Sequence, residues 1–360
     1  MVRAVIFIII FFTLTKAFGQ TSAPKYSNEF LSIGVGARGM AMSESVVAST
    51  SDVTAGYWNP ANLTDLTNDF EGSLMHSSYF AGIANYDYLG FATRTDTSSY
   101  LGISAIRFAI DDIPDTRFLY DANGAINYDR IQFFSAADYA FIFSYARKIP
   151  KLKGIQLGGN FKIIHRNVGD FAKAWGFGLD IGAKFSHKKW SFAVMARDIT
   201  GTFNAWTHNS ELVADVYLQT GNEIPSNSIE ITLPRLIFGV SRIFYFKEKF
   251  SALAEVDLEL TFDGKRNTLA KFSLFSLAPK AGLELGYQQK IFARLGVGEF
   301  QQIKEFDGSS SHSFQPNFGL GINIKGLQID YALTDIGNQA EALYSHVFSL
   351  KYGWDSKNEN

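Results

Sequence analysis

Apolar and polar residues alternate along the C-terminal half of the chain, over residues 236–352. The clearest segments are 251–261, 280–288 and 327–334. A period of two predicts β-strands, because successive side chains of a strand point to opposite faces. One face is aliphatic and aromatic, whereas the other carries charges and glycines. A soluble sandwich shares this pattern, so the alternation alone does not distinguish a sandwich from a barrel.

The connections between the predicted strands favour a barrel. From about residue 69 the pattern predicts about fourteen strands. Every second connection is tight: 95–98, 148–153, 187–189, 247–249, 289–290 and 325–326. The long ones fall between them: 111–136, 201–233, 263–277 and 301–313. Short turns at one rim and long loops at the other are typical of an outer-membrane barrel. We therefore predict an all-β chain, an antiparallel transmembrane β-barrel over 69–354 with a polar tail at 355–360.

The first nineteen residues have the features of a secretory signal peptide. Arg3 precedes an apolar run at 4–14, and Ala17 and Gly19 supply the small residues of a cleavage site. The run is shorter than the about 20 residues that a membrane-spanning helix needs. No later segment reaches 18 apolar residues without a charge. We predict export by a cleaved signal peptide and localisation in the cell outer membrane, with the lipid bilayer as partner.

Composition supports this class and excludes others. The chain has 33 Phe, 16 Tyr and 31 Gly, and lipid-facing strands with aromatic girdles use many aromatic residues. Because Cys is absent, disulfides, thiol chemistry and Cys-ligated metals are excluded. A net charge of −2 without a basic patch argues against nucleic acid as a partner.

The segment 20–68 does not alternate and predicts a different structure. Gly34, Gly36 and Gly39 allow tight bends or close approach of the backbone. Asn59-Pro60 is a turn signal. A compact segment of short helices and turns ahead of a barrel is predicted to plug its lumen.

Inside the barrel the pattern predicts one ion pair, between Lys162 and Asp180. Both lie on the inward faces of neighbouring strands, and folding the hairpin about Phe171 places them opposite each other. Trp175 and Trp190 lie near strand ends, as interfacial aromatic residues do.

Several motifs resemble a known family. Two segments, 37–42 and 58–61, resemble the N-terminal hatch of FadL-type outer-membrane proteins. The residues that carry this resemblance are Arg38, Met40, Met42, Trp58, Asn59, Pro60 and Ala61. The segments 135–139, 144–147, 175–183, 197–206 and 233–236 resemble the PorV/PorQ branch. Two features depart from the family. Ser43-Glu44 stands where a glycine pair is usual, and a polar tail follows Trp354.

The resemblance implies a fourteen-stranded FadL-like barrel with an internal plug. It also implies a Bacteroidetes-type outer membrane and the type IX secretion system. There, PorV-like barrels bind secreted proteins by their C-terminal sorting domains and pass them from the translocon to the attachment machinery.

The predicted loop 200–230 carries unusual apolar content for an external segment. Asp198, Phe203, Asn204 and Trp206 are the candidate residues for binding a partner, since exposed apolar surface marks interaction sites. The alternative is that these residues fold back and cap the barrel.

Candidate catalytic and metal-binding chemistry is weak. The six histidines, His76, His165, His187, His208, His312 and His346, are scattered without ligand spacing. The loop segment 121–126 resembles the middle of an EF-hand but lacks its first ligand and closing Glu. We predict no enzyme, no metal and no cofactor.

Two functions remain open. One is a PorV-like barrel that binds secreted proteins or translocon partners. The other is a FadL-like transporter of hydrophobic small molecules, which requires a hydrophobic ligand, an apolar pocket and a gap in a strand. The charged inward faces favour the first, and the plug argues against an open porin.

Overall fold

The computed structural model describes residues 27–79, 82–121, 123–304, 309–334 and 345–356. The predicted signal peptide lies outside these residues, as do the last four residues of the predicted tail.

The described chain forms mainly β-strands. The first nine are β1 (Phe70–Tyr79), β2 (Ala84–Arg94), β3 (Ser99–Asp115), β4 (Gln132–Lys148), β5 (Ile155–Val168), β6 (Ala172–His187), β7 (Trp190–Arg197), β8 (Thr202–His208) and β9 (Ser228–Thr232). The others are β10 (Arg235–Phe246), β11 (Phe250–Thr261), β12 (Ala270–Lys271), β13 (Ser276–Tyr287), β14 (Ile291–Lys304), β15 (Ser310–Ile324), β16 (Leu327–Thr334) and β17 (Ser345–Trp354).

These strands close into one antiparallel barrel, as predicted. Neighbours in sequence pair in order, and β1 closes the ring by pairing with β17 from Phe70↔Trp354 to Ser78↔His346. β7 and β8 both pair with β6, so together they form one interrupted wall strand. β9 and β10 form the next in the same way, pairing with β8 and β7. With β12 confined to a loop, the described residues form a wall of 14 strands, which confirms the predicted number.

The two faces of the wall have opposite character. Outward side chains such as Leu320 (63% exposed) and Val256 (57%) are large and apolar. Inward side chains include Arg294 (2%) and Glu255 (1%), which are buried although charged. An apolar exterior around a polar interior is the arrangement of a barrel that lies in a bilayer. None of the helices in the described ranges has the length and apolar content that a membrane crossing needs.

The predicted plug of short helices and turns fills the lumen. It contains the helices α1 (Ala37–Ala41) and α2 (Ala55–Trp58), with 3₁₀ turns at Glu29–Ser32 and Pro60–Asp65. Asn59 starts the last turn, because its side chain accepts a hydrogen bond from the Ala61 amide and Pro60 follows with its fixed φ. The Trp58 indole donates to the Val35 carbonyl over 3.0 Å.

The long-loop rim differs from the prediction at residues 201–233. This stretch holds two wall segments, β8 and β9, with the helix α3 (Ser210–Thr220) between them. The prediction of one long loop was therefore wrong, since only its middle part projects from the wall. A further 3₁₀ turn, Tyr128–Arg130, lies between β3 and β4.

Candidate functional site

The candidate site is the lumen, where the plug meets the wall. Arg38 of α1 donates to Glu284 of β13, with 2.9 Å between Arg38 Nε and Glu284 Oε2. The same carboxylate accepts from Arg294 Nε of β14 at 2.6 Å, and Arg294 Nη1 reaches Asp330 Oδ1 of β16 at 2.6 Å. Pairing with an opposite charge offsets the free-energy cost of burying each of these groups. The hatch-motif arginine thus joins a charge chain that crosses four strands of the wall.

Further contacts fasten the plug around the same side of the barrel. Glu44 pairs with Lys280 of β13 at 2.6 Å, and Asp52 pairs with Lys351 of β17 at 2.9 Å. The backbone amide of Ala48 donates to Glu255 Oε1 of β11 over 2.6 Å. The contact with Glu255 satisfies a backbone amide of the plug that is not paired within a helix or a strand.

Glycines of the wall let the plug backbone approach closely. A side chain at Gly158 would collide with the backbone of Pro60 and Ala61, and one at Gly182 with the Asn59 side chain. Gly296 and Gly319 face residues 41–43 of the plug in the same way. The hatch motif therefore fits against the wall because these positions lack a Cβ.

The wall is interrupted beside the plug. The pairing of β6 stops at Phe177↔Phe203 with β8 and resumes at Ile181↔Ala196 with β7. Residues 198–201 cross this gap, with Asp198 (φ 56°) and Gly201 (φ 70°) in left-handed conformations. Leu233 and Pro234 interrupt the neighbouring strand at the same level. Because Pro234 has no amide proton, it cannot restore the ladder.

Lys162 lies at the luminal side of this break and holds two carboxylates. Its Nζ is 2.7 Å from Asp180 Oδ1 and 2.5 Å from Asp198 Oδ1. The predicted pairing geometry was wrong by two residues, since Lys162 lies opposite Gly178 and Asp180 lies opposite Asn160. The pair is therefore diagonal, which a long lysine side chain can span. Asp198 is the partner that sequence reasoning missed.

The candidate partner-binding residues do not form an exposed surface. Asp198 (5% exposed) and Asn204 (0%) are buried. Trp206 is partly buried and donates to Glu230 over 2.9 Å. Phe203 points outward from the wall beside Phe177. The prediction of an external loop surface at these positions was wrong because β8 belongs to the wall.

The first described residues of the chain cover the break from inside. Asn28 Nδ2 donates to Thr232 Oγ1 over 2.7 Å, and Asn204 Nδ2 donates to Asn28 Oδ1 over 2.9 Å. Arg266, in the loop after β11, bonds both Glu29 (3.1 Å) and Asp263 (2.5 Å). Burial raises the pKa of Asp263, but the hydrogen bonds from Arg266 outweigh it and hold the pKa below its ordinary value.

Two cavities open between the plug and β10–β15. One of about 230 Å³ is lined largely by charged side chains, and one of about 250 Å³ lies beside it against Met40 and Asn317. Arg197 and Arg235 face the first cavity from directly opposite positions on β7 and β10. Arg197 stacks on Tyr57 at 4.5 Å, and Arg235 reaches Glu259 at 3.5 Å. Both arginines also border a small pocket at the break, with Leu31, Tyr57 and Ile142.

Comparison with known proteins identifies the fold. No family model matches the chain, and no match is found among curated proteins. Solved structures do match. The monoaromatic hydrocarbon channel CymD is 13% identical, with a TM-score of 0.55 over 90% of this chain and 98% of that one. The fold is that of a FadL-like barrel.

Two toluene transporters share the fold. TodX of Pseudomonas putida is 11% identical, with a TM-score of 0.56 over 90% of this chain and 99% of TodX. TbuX of Ralstonia pickettii is 14% identical, with a TM-score of 0.52 over 89% and 98% of the two chains. These likenesses extend over the plug and the barrel of the FadL-like structure. The resemblance to the PorV/PorQ branch stays a prediction.

Proposed function

We propose that this protein is a channel of the bacterial outer membrane that passes small hydrophobic molecules, without catalysing a reaction. The observation that carries the proposal is the interruption of two neighbouring wall strands at residues 198–201 and 233–234, beside a plugged lumen. The fold shared with hydrocarbon channels supports the same function. It replaces the secretion role as our main hypothesis.

The proposed route follows the cavities. A molecule enters from the long-loop rim between plug and wall and reaches the break. The pocket there holds about 20 Å³ and is lined by Leu31, Tyr57 and Ile142 together with charged side chains, so passage requires these groups to move apart. The molecule then leaves sideways into the bilayer, where apolar molecules are most soluble. The charged lining of the 230 Å³ cavity gives polar groups of a substrate hydrogen-bond partners.

A disulfide across the break tests the route, and the chain has no cysteine of its own. Ile199 donates its amide to the Leu179 carbonyl over 3.0 Å, so the variant L179C/I199C would join the two edges. The matched control F177C/F203C joins directly paired residues of the intact ladder just above. Each is compared oxidised and reduced for uptake of labelled toluene by cells.

We expect oxidation to reduce uptake several-fold in L179C/I199C and not in F177C/F203C, and a reductant to restore it. Unchanged uptake with a verified disulfide across the break would show that the route is wrong. Uptake equal to that of cells lacking the barrel would overturn the hydrophobic-channel proposal itself.

A second candidate is the PorV-like role in type IX secretion. The observation that favours it is apolar exposure on the long-loop segments, where Leu218 (68%) and Leu274 (78%) are uncovered. Exposed apolar residues of this kind suit a protein partner. A pull-down from native outer membranes tests this role. Recovery of translocon or sorting-domain proteins that is lost in L218S/L274S supports it, and the absence of such proteins contradicts it.

A further inference from the structure

A row of polar side chains interrupts the apolar exterior of the wall. His76, Asp87, Arg107 and Tyr139 are directly paired across β1, β2, β3 and β4. Asp87 accepts from His76 Nδ1 at 2.7 Å and from Arg107 Nη1 at 3.1 Å, and Tyr139 interacts with Arg107. The His76 side chain is 60% exposed, and those of Asp87 and Arg107 are each 39% exposed. This outward cluster is not covered by the plug.

Below the row lies an apolar groove of about 460 Å³ on the outside of the barrel. Its walls are Leu74, Leu89, Phe141, Phe348 and Leu350, all outward and exposed. Ala105 forms its floor, between Leu89 and Phe141 in the ladder. The groove exists because this position has a methyl group where its neighbours have large side chains.

The row lies near the long-loop end of the wall. His76 is three residues from the end of β1 (Phe70–Tyr79), and Asp87 is three residues from the start of β2 (Ala84–Arg94), which pairs with that end. Side chains this close to strand ends lie at the interface between hydrocarbon and head groups, where charges cost little. The groove therefore lies at hydrocarbon depth, and its polar end lies at head-group depth.

We propose that this groove binds a lipid of the outer leaflet, with an acyl chain over Ala105 and an anionic phosphate on Arg107. The phosphate complements the cationic guanidinium of Arg107, which shares its one carboxylate, Asp87, with the imidazole of His76. The guanidinium has five donors in a planar fork that suits phosphate, and one ion pair to Asp87 leaves donors free toward the membrane. This site is separate from the lumen, so it does not depend on the proposed channel function.

The test is lipid retention by the full-length barrel, measured by native mass spectrometry from nanodiscs. The probes are dioleoyl phosphatidic acid and dioleoyl phosphatidylcholine, which share acyl chains and differ in head-group charge. R107Q removes the cationic fork, and A105F fills the groove without changing a charge. The control R242Q alters another outward arginine, which stacks on Trp190 at the opposite rim.

We expect preferential retention of phosphatidic acid by the wild type, and a loss of about tenfold in R107Q, as for one charge-assisted hydrogen bond. A105F should lower retention of both lipids, and R242Q should behave as the wild type. Equal retention of the two lipids by the wild type would overturn the phosphate contact. Undiminished retention in A105F would overturn the groove as the binding site.

Discussion

On the side of the barrel built by β11–β17, the plug is held by short ion pairs: Arg38 to Glu284 at 2.9 Å, Glu44 to Lys280 at 2.6 Å and Asp52 to Lys351 at 2.9 Å. On the side of the break, its contacts with the two facing arginines are longer. Glu29 lies 3.9 Å from Arg235, and the Tyr57 carbonyl lies 3.3 Å from Arg197. The break side nevertheless holds the plug closely at other points, because Lys184 of β6 lies 2.6 Å from Asp65 and Asn160 of β5 donates to the Gly56 carbonyl over 2.8 Å. The longer contacts are therefore confined to the two arginines beside the break, within a wall that anchors the plug on both sides.

The largest effect is expected from removing Arg38, which joins the plug to the buried charges of the wall. R38A leaves the buried Glu284 with one basic partner instead of two. We expect a loss of about 3 kcal/mol in unfolding free energy, as for the charge-assisted hydrogen bonds that Glu284 loses while it keeps Arg294. Ion conductance in planar bilayers should rise as the plug loosens. Urea unfolding and single-channel recording measure the two effects.

The control for this change is R94A, which breaks the exposed Arg94–Asp69 pair at the short-turn rim. It should cost about 1 kcal/mol or less and leave conductance unchanged. If R38A and R94A behave alike, the charge chain through Glu284 does not hold the plug.

A smaller loss of stability is expected when alanine replaces one of two adjacent glycines on β5. G158A places a methyl group against the backbone of Pro60 and Ala61, whereas G159A points outward and meets its nearest atom, the Asp180 carbonyl, at 3.5 Å. Overpacking should make G158A less stable by about 1–3 kcal/mol. G159A should remain within about 0.5 kcal/mol of the wild type. Thermal unfolding of both variants decides the point, and equal transition temperatures would contradict close approach of the plug at Gly158.

The smallest effect is expected at the short-turn rim, away from the plug contacts and from the break. Hydrogen bonds from the Ser98 amide, and from the side chains of Ser99 and Ser98, lower the pKa of Asp96 from 3.8 to about 2. Because the folded pKa is depressed, its stabilisation is present above the unfolded pKa and is lost as the pH falls toward 2.

Urea midpoints of wild type and D96N across this pH range test the assignment. We expect D96N to be slightly less stable at pH 6 and indistinguishable from the wild type at pH 2. A difference that persists at pH 2 would show that the Asp96 carboxylate is not its source.

The local sequence pattern predicts much of the fold, but it does not predict the break in the wall. The alternation of apolar and polar residues, together with the alternation of short and long connections, predicts fourteen strands. It does so because the face of each strand that meets lipid is apolar. The break was hidden because Gly201 and Pro234 are ordinary loop signals, and only pairing with β6 and β7 shows that β8 and β9 belong to the wall. Apolar alternation at Phe203 and Ala205, and at Ile229 and Ile231, was the available signal. The buried Asp198 could not be assigned, since its contact with Lys162 depends on the crossing geometry.

The pairing of β1 with β17 has a consequence for how the molecule assembles. Phe70 and Trp354 are partners across almost the whole sequence, so the ring cannot close until the last strand has been synthesised and delivered. Contacts between such distant residues form slowly, because the chain must lose much entropy before they are made. The plug precedes β1 in sequence and is fitted against glycines on the inner surface. It must therefore be seated while the sheet is still open, and closure of this seam is the step that traps it.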